Sequence, residues 1–455
     1  MQIASVIADD LWSQLFNGIF SWAFLQFIIA FLSFFGFVLT SAIILILAER
    51  KFMGWMQDRY GPLHTGPWGL LQTVADVGKL LMKEDIHAVN TDKSLFLLAP
   101  SVFLAPVIAA FAVIPFSPYL GVPGTALATG IVYYVAMSSI DVVGVVMAGW
   151  SSNNKYSLIG GLRSAAQMIS YELPLVLALV GIVMLTSVLS GSGLGTISIK
   201  QIIDIQNSSP WPGQGIPFWD FIFKGFTPWA WFFLVQPLML VIYYTCGLAE
   251  TNRSPFDLPE AESELVAGYL TEYSGMRWAL FYLGEYGNMT IVSAIAATLF
   301  LGGWAGPGVA VLTAPGMAFG WQLLGNILGL VYFTIKVYLL CFVFIWVRTT
   351  LPRLRADQLM QYAWLILIPV TLGNILFTAL VYLVLNSFGL SNLVFLIFLG
   401  VLNWILLVGY IWVIGRATVA TTRRAQAPAI RAHRRAATTA AQIPERAGVV
   451  SGAQE

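Results

Sequence analysis

The sequence predicts an all-α polytopic membrane protein with about nine transmembrane helices and one amphipathic helix in the membrane interface. Of its 455 residues, 58% are hydrophobic and 10% are charged, and the mean hydropathy is +0.79. This composition excludes an ordinary soluble domain. A helix needs about 20 apolar residues to cross a bilayer core. Such segments predict spans at residues 22–48, 95–116, 126–149, 171–190, 229–249, 287–304, 320–347, 362–386 and 392–415.

The basic residues predict how these spans are oriented. Lys and Arg concentrate in the tail after the last span and in four alternate loops, residues 49–94, 150–170, 250–286 and 348–361. The loops at the other membrane face hold only Lys200 and Lys224. Because cytoplasmic loops carry an excess of Lys and Arg, we expect the N-terminus outside and the C-terminal tail in the cytoplasm.

Segment 66–84 has the pattern of an amphipathic helix that lies in the membrane interface. One helical face is polar, with Gln72, Asp76, Lys79 and Lys83, and the other is apolar, with Leu70, Val74, Val77 and Leu81. The pattern fits a simple membrane anchor. It fits equally a wall of a cavity that opens sideways into the lipid.

The chain shows no motif that would hold a redox cofactor of its own. Cys246 and Cys341 both fall in apolar spans, where cysteine packs as a small hydrophobic residue. The three histidines lack metal-ligand spacing, and phosphate-binding, dinucleotide-binding and iron–sulfur motifs are missing from the sequence. Any redox cofactor is therefore expected on another chain, and no nucleic acid is expected as a partner.

An unusual concentration of acidic residues lies between two predicted spans. Residues 249–285 contain Glu250, Asp257, Glu260, Glu262, Glu264, Glu272 and Glu285. Such a run can be an ordinary solvated loop, but acids at a membrane edge cost free energy unless they are paired, hydrated or carrying protons. On a helix, Glu260 and Glu264 would share a face while Glu262 projects elsewhere. Paired carboxylates in a partly dry site cannot easily both ionise, so the run predicts proton-binding groups.

Two further ionisable residues extend this series into the bilayer. Glu172 lies at the start of the fourth predicted span, and Lys336 lies inside the seventh as a possible counter-charge. The alternative interpretation of the whole set is a structural ion-pair network. Asp141, inside the third span, is expected to form a hydrogen bond that packs helices together.

The cytoplasmic segments together resemble a known family. They read AERKFMGWMQDRYGP at Ala48–Pro62, GPWGLLQTVADVGKLLMKED at Gly66–Asp85, AGWSSNNKYSLIGGLRSAAQMISYELP at Ala148–Pro174, the acidic run described above, and FIWVRTTLPRLRADQLM at Phe344–Met360. These motifs are similar to those of the H subunits of proton-pumping NADH:quinone oxidoreductase, respiratory complex I. The resemblance covers about residues 20–385.

The sequence departs from the usual family pattern in two places. The familiar G-P-N-R-x-G-P segment reads GPLHTGP at Gly61–Pro67, so that His64 stands near an expected Arg. Family members usually end after the eighth span, whereas this chain adds a ninth and a basic tail. We therefore divide it into a family domain, an extra transmembrane helix and a cytoplasmic tail without apolar periodicity, residues 1–386, 387–415 and 416–455.

The resemblance implies a function within a large complex. It implies a multi-pass subunit of a bacterial inner or plasma membrane that forms the lipid-side part of a quinone chamber. The substrate would be menaquinone or ubiquinone, and FMN and iron–sulfur clusters would lie only on partner subunits. The partners implied are the two hydrophilic subunits of the quinone site, the other membrane-arm subunits and lipid.

The resemblance also implies roles for particular residues. The first carboxylate link of a proton path would comprise Glu172, Glu250, Asp257, Glu260, Glu262, Glu264, Glu272, Glu285 and Lys336. The quinone chamber and its entrance would use apolar Phe52, Met53, Trp55 and Met56 and polar Arg50, Gln57, Arg59 and Asp76. Ordinary packing at the membrane interface explains the apolar residues about as well as quinone binding does. The positive-inside topology likewise explains the two arginines about as well.

Three other functions are compatible with parts of the pattern. The homologous membrane subunit of an energy-converting hydrogenase shares the acid series but need not bind a quinone. A stand-alone ion transporter would work without partners, and a pure scaffold would tolerate neutralising every acid of the run. The long Glu49–Pro67 segment favours the quinone enzyme.

Overall fold

The computed structural model describes residues 22–86, 88–119, 127–190, 195–207, 231–258, 266–314, 316–389 and 394–416. These residues form helices and connecting segments and contain no strand, so the predicted all-α class is confirmed. The chain divides into two compact units, residues 1–400 and 401–455. The described part of the second unit is the end of one helix, residues 401–416.

Eleven helices of more than two turns are present in these ranges. In chain order they are α1 (Trp22–Met56), α2 (Gln72–Met82), α3 (Lys93–Ala110), α4 (Gly130–Ser151), α5 (Lys155–Leu189), α6 (Ile199–Asn207), α7 (Pro237–Glu250), α8 (Gly275–Phe300), α9 (Phe319–Thr350), α10 (Ala356–Ser387) and α11 (Val394–Arg416). Each of the nine predicted spans overlaps one of them, and α2 occupies the predicted amphipathic segment.

Length and hydropathy distinguish the helices that can cross a bilayer. In the described ranges, six are long and apolar enough, namely α3 with its extension to Val113, α4, α5, α9, α10 and α11. The apolar α7 is shorter, with 14 residues that span roughly 21 Å. Helices α1 and α8 have 35 and 26 residues, and α8 carries polar and charged groups that lower its hydropathy.

Helix α8 lies at the centre of the bundle. Every residue from Gly284 to Phe300 is buried, and α8 packs against α1, α3, α7 and α9. Association of helices within a membrane is driven by van der Waals packing and by hydrogen bonds between the helices. The polar residues of α8 are therefore enclosed by protein, which is the condition for a functional charge within a membrane protein.

The described residues just before α8 pack into the bundle instead of remaining at its surface. Tyr269 and Tyr273 join Phe96 and Phe281 in an apolar core, and the rings of Phe96 and Tyr273 stack with centroids 4.1 Å apart. Burial raises the pKa of Tyr273 to about 12, so its hydroxyl stays protonated and donates to the carbonyl of Phe96. These contacts fix the start of α8.

Helix α2 lies beside α1 and α8, and its far end is tied to the bundle. Arg277 at the start of α8 forms an ion pair of 2.8 Å with Asp85, just after α2. The apolar residues Val74 and Leu81 are exposed, by 51% and 62%. An amphipathic helix with an uncovered apolar face fits a position in the membrane interface.

Candidate functional site

A buried cluster of charges joins α1, α8, α9 and the segment after α7. Arg253 Nη2 lies 3.5 Å from Glu285 Oε2, and Arg253 Nη1 lies 3.9 Å from Glu49 Oε2. Glu49 also forms an ion pair and hydrogen bond with Arg348. Arg253, Glu49 and Glu285 are each 4% exposed. We call these four residues the Arg253 cluster.

Two tyrosines donate further hydrogen bonds to this cluster. The Tyr286 hydroxyl donates to Glu49 Oε2 at 2.7 Å, and the Tyr269 hydroxyl donates to Glu285 Oε1 at 3.2 Å. The Arg253 guanidinium also lies 4.2 Å from the centre of the Tyr286 ring. Burial lowers the pKa of Arg253, but Tyr286, Glu49 and Glu285 raise it by more, so the guanidinium stays protonated.

The local structure after α7 explains how Arg253 reaches this position. The helix ends at Glu250, and the following residues turn back into the bundle, so that Thr251, Asn252 and Arg253 are all buried. Gln167 of α5 holds this turn by donating to the carbonyls of Ala249 at 2.7 Å and Phe256 at 2.5 Å. A buried turn needs such partners because its backbone groups cannot reach water.

A second group of acids lies deeper in the bundle. Glu172 accepts a hydrogen bond from Ser139, and its charge acts on Glu250 at the end of α7. Asp141 accepts a hydrogen bond of 2.6 Å from Asn288 of α8. Asp141, Glu250 and Asn288 line one small cavity between α3, α4, α7 and α8. We call this space the acid cavity.

The remaining predicted acids occupy different surroundings. The Oδ1 atom of Asp257 lies 3.9 Å from Nη2 of Arg353. Glu272 accepts a hydrogen bond of 2.9 Å from the Asn154 amide. Glu260, Glu262 and Glu264 lie outside the described residues. The structure thus brings Glu250 near Glu172 and places Glu285 in the Arg253 cluster.

Lys336 lies at the opposite end of α8 from Glu285. Its ammonium donates hydrogen bonds of 2.8 Å to the carbonyls of Leu301, Gly303 and Ala305, which follow the end of α8. Glu285 and the helix end at Phe300 are fifteen positions apart, which corresponds to roughly 22 Å along the axis. The cation next to Glu285 is Arg253, and Lys336 instead neutralises the carbonyl-rich end of α8.

The polar members of the predicted quinone residues form a group at the C-terminal end of α1. Arg50 pairs with Asp76 of α2, and the Gln72 amide donates to Asp76 at 3.2 Å. The Thr65 hydroxyl donates to Gln72 at 2.6 Å, and Lys51 donates to the Trp68 carbonyl at 2.7 Å. These bonds connect α1, the intervening loop and α2.

The other residues of this group are arranged toward the surface. The Phe52 ring packs on Phe342 with centroids 4.4 Å apart, next to a half-exposed Met53, while Trp55 and Met56 are 61% and 52% exposed. Arg59 donates to Gln57 at 2.7 Å, and His64 is exposed in the following loop. An exposed apolar surface next to polar groups is typical of a binding site for an amphiphile.

Sequence reasoning misses three of the four residues of the Arg253 cluster and identifies only Glu285. It treats Arg253 and Arg348 only as topology signals, and it does not identify Glu49 and Tyr286 as site residues. A usable signal is the position of Glu49 at the end of a long apolar span, directly before Arg50. An acid at that depth requires a cation, and the basic residues at the ends of other spans are the candidates.

The described residues contain no group of three or more His, Cys, Asp or Glu side chains that could hold a metal ion. Cys246 and Cys341 are buried free thiols, and the Cys341 thiol lies 3.3 Å from the Ser293 hydroxyl. The ionisable groups in this part of the chain can bind and pass protons and can order a polar head group.

The fold and the buried ion pairs define a multi-pass membrane protein with a network of charged side chains inside its helix bundle. The family model described as NADH dehydrogenase matches residues 29–379. The H subunit of NADH-quinone oxidoreductase from Brevibacillus brevis is 46% identical over 357 residues, which cover 78% of this chain and 93% of the relative. The corresponding H subunits of a Geobacillus species and of Dehalococcoides mccartyi are 45% and 46% identical, covering 74% and 76% of this chain and 88% and 84% of the relatives.

The chain therefore belongs to the NADH dehydrogenase family. These relatives are subunits of NADH-quinone oxidoreductase, an enzyme complex. The resemblance seen in the sequence motifs is confirmed, and the family match ends at residue 379, before α11.

Proposed function

We propose that this subunit forms the lipid-side part of a quinone chamber and carries the first carboxylate link between quinone reduction and proton translocation. The Arg253 cluster carries the proposal, because it connects the end of α1, where the quinone residues lie, to Glu285 on the central helix α8. A change of charge at the end of α1 is therefore felt inside the bundle without passing through water.

The quinone side of the proposal rests on the segment from Glu49 to Leu81. Quinones have a polar head and an isoprenoid tail, so their path needs an apolar wall with polar groups at one end. The exposed Trp55, Met56 and Trp68 supply apolar surface, and the Arg50–Asp76 pair supplies polar groups beside it. In this proposal, helix α2 forms a wall of the chamber at its border with the lipid.

The proton side rests on the acids next to α8. Reduction of a quinone to a quinol takes up protons, so nearby ionisable groups change occupancy during turnover. Glu285 and Glu250 are both buried, at 4% and 6% exposure, and each lies near another carboxylate or a buried cation. Buried acids within a membrane protein are commonly members of proton relays. Glu172 and the acids of 257–272 would continue the path.

The proposal includes partners and membrane orientation. Because the relatives are named as subunits of NADH-quinone oxidoreductase, hydrophilic partners would hold the FMN and iron–sulfur clusters and supply the rest of the quinone site. The N-terminus would face outward and the C-terminal tail the cytoplasm. Residues 387–415 would add a helix to the family domain of residues 1–386, and residues 416–455 would be a basic tail near lipid head groups.

The test uses the intact complex with Glu250→Gln, Glu260→Gln, Glu264→Gln and Glu285→Gln. Each change keeps the side-chain size but removes a proton-binding carboxylate. We expect an assembled complex that oxidises NADH with a small artificial acceptor at the normal rate, while quinone-dependent turnover and proton pumping fall. Asp204→Asn, in the exposed part of α6, is the matched control and should behave as wild type. Wild-type pumping in all four variants would contradict the proposal.

A further inference from the structure

Asp141 is a buried acid inside a membrane helix, and the preceding proposal gives it no part. It lies inside α4 and is 1% exposed. Asn288 donates to its Oδ2 atom at 2.6 Å, but Oδ1 has no hydrogen-bond partner in the described structure. A buried, unsatisfied carboxylate oxygen costs free energy, so its retention needs a physical reason.

Glu250 has the same deficiency on the other side of the acid cavity. It is 6% exposed, and within the described residues its Oε2 atom has no hydrogen-bond partner. The two carboxyl groups are close enough for the charge of Glu250 to act on Asp141. The cavity between α3, α4, α7 and α8 is lined by both acids, Asn288 and Tyr134.

The dimensions and polarity of the acid cavity suit a water molecule. The volume open to a water centre is about 10 Å³, which is close to the volume that one water needs. A buried water typically makes about three hydrogen bonds to polar groups that otherwise have none. The two unsatisfied carboxylate oxygens, with Asn288 and Tyr134 beside them, offer such partners.

We propose that the acid cavity holds one water molecule that bridges Asp141 and Glu250, and that these two acids share a proton through it. This inference rests on the proposed proton path and adds Asp141 to it. When Glu250 is ionised, protonated Asp141 gives its proton to the water, and the water releases another to Glu250. The O–H bond lost at Asp141 is replaced by one formed at Glu250, so the water is unchanged.

Sharing one proton lowers the free-energy cost of keeping two carboxyl groups close together inside the bilayer. Two adjacent ionised carboxylates would repel each other strongly in a site without solvent, whereas one shared proton leaves a single negative charge. Asn288 donates to that charge and holds Asp141 in place. The Tyr134 hydroxyl, 3.3 Å from the Tyr243 hydroxyl, adds a polar group to the lining of the cavity.

Asp141→Asn tests the proposal in the assembled complex. The substituted amide keeps the size of the side chain and can still accept from Asn288, but it cannot bind a proton. Infrared difference spectra of the wild-type complex during quinone reduction should show a deuterium-sensitive carboxyl band, and Asp141→Asn should lose or shift it. Proton pumping per electron should fall, and Asp204→Asn should change neither property.

The outcomes separate this proposal from the proton path on which it rests. If Glu250→Gln abolishes pumping while Asp141→Asn keeps both the band and wild-type pumping, the inference about Asp141 is wrong and the path stands. If both variants pump normally, the shared proton is refuted and Glu250 leaves the path, whereas the path itself fails only if Glu260→Gln, Glu264→Gln and Glu285→Gln also pump normally. A high-resolution map of the complex with a dry acid cavity would also overturn the water bridge, and density within hydrogen-bond distance of both acids would support it.

Discussion

The Nη2 atom of Arg253 lies 3.5 Å from the Oε2 atom of Glu285, and each residue has only 4% of its surface exposed. The pair joins the turn after α7 to the central helix α8. Glu49 and Arg348 extend it to α1 and α9. A buried pair of this kind is costly to break, because removing one partner leaves the other charge without compensation.

We predict that Arg253→Gln destabilises the subunit strongly, by about 3–5 kcal/mol, because Glu49 and Glu285 lose a buried cation. Complex yield and thermal stability in detergent would measure the loss. The double variant Arg253→Gln/Glu285→Gln should recover part of it, since one uncompensated acid is also removed. Arg353→Gln is the control, because its partner Asp257 is 3.9 Å away and Arg353 is 35% exposed. An Arg253→Gln variant as stable as this control would contradict the prediction.

Asp76→Asn should affect quinone use more than stability. Arg50 and Asp76 are 46% and 30% exposed, and an ion pair of that kind contributes no more than about 1 kcal/mol. We expect a higher apparent KM for a short-chain quinone, with unchanged NADH oxidation by a small artificial acceptor. The charge-swapped variant Arg50→Asp/Asp76→Arg should recover part of the KM. Equal losses in both activities would assign the pair to assembly.

Lys336→Met should destabilise the fold. In the complexes that still assemble, the coupling between quinone reduction and proton pumping should be unchanged. The substitution removes three hydrogen bonds to carbonyls, and bonds from a charged donor are each worth about 1.5–3 kcal/mol. We expect a lower melting temperature and a normal ratio of protons pumped to electrons transferred. A reduced ratio in stable complexes would place Lys336 in the proton path after all.

Gly160→Ala tests the close contact between α5 and the segment before α8. An added Cβ would lie 2.6 Å from the Gly268 Cα, so backbone atoms would have to move. Such overpacking typically costs about 1–3 kcal/mol. Gly373→Ala in α10 is the matched control, because nothing lies within 4 Å of its added Cβ. Complex stability should fall for the first variant and hold or rise slightly for the second.

Truncation after Asn386 should leave catalysis near normal and reduce stability in detergent. The removed residues include α11, whose Phe395 ring packs on Tyr382 of α10 with centroids 5.7 Å apart. Residues 392–415 contain no ionisable group except Tyr410, so we expect them to pack and not to relay protons. Native gel migration and quinone reductase activity would separate the two effects. Loss of quinone reduction in an intact truncated complex would mean that α11 shapes the site.

Hydropathy and amphipathic periodicity predict the helices well. The lengths of apolar runs place nine spans on nine described helices, and the alternation of Val74 and Val77 with Asp76 and Lys79 predicts α2. These signals are local in the chain. The helix start is less predictable for α5, which begins at Lys155 because Asn154 accepts a hydrogen bond from the Tyr156 amide.

The contacts between distant helices cannot be predicted in the same way. Glu49 and Arg348 are separated by 299 positions, and no periodicity tells which span ends become neighbours. The inward turn of residues 251–253 depends on Gln167, a polar residue of another helix. The sequence alone indicates a packing role for Asp141, whereas its partner Asn288 and the acid cavity emerge only when α4 and α8 are placed together.

The links from Arg253 to Glu49 and Glu285 have a mechanical consequence. The two carboxylates belong to different helices, α1 and α8, and the guanidinium pulls on both of them. Neutralising either carboxylate removes part of the force that holds one helix toward the other. Protonation of Glu49 or Glu285 would therefore weaken the attraction between α1 and α8 and allow a small displacement between the two helices.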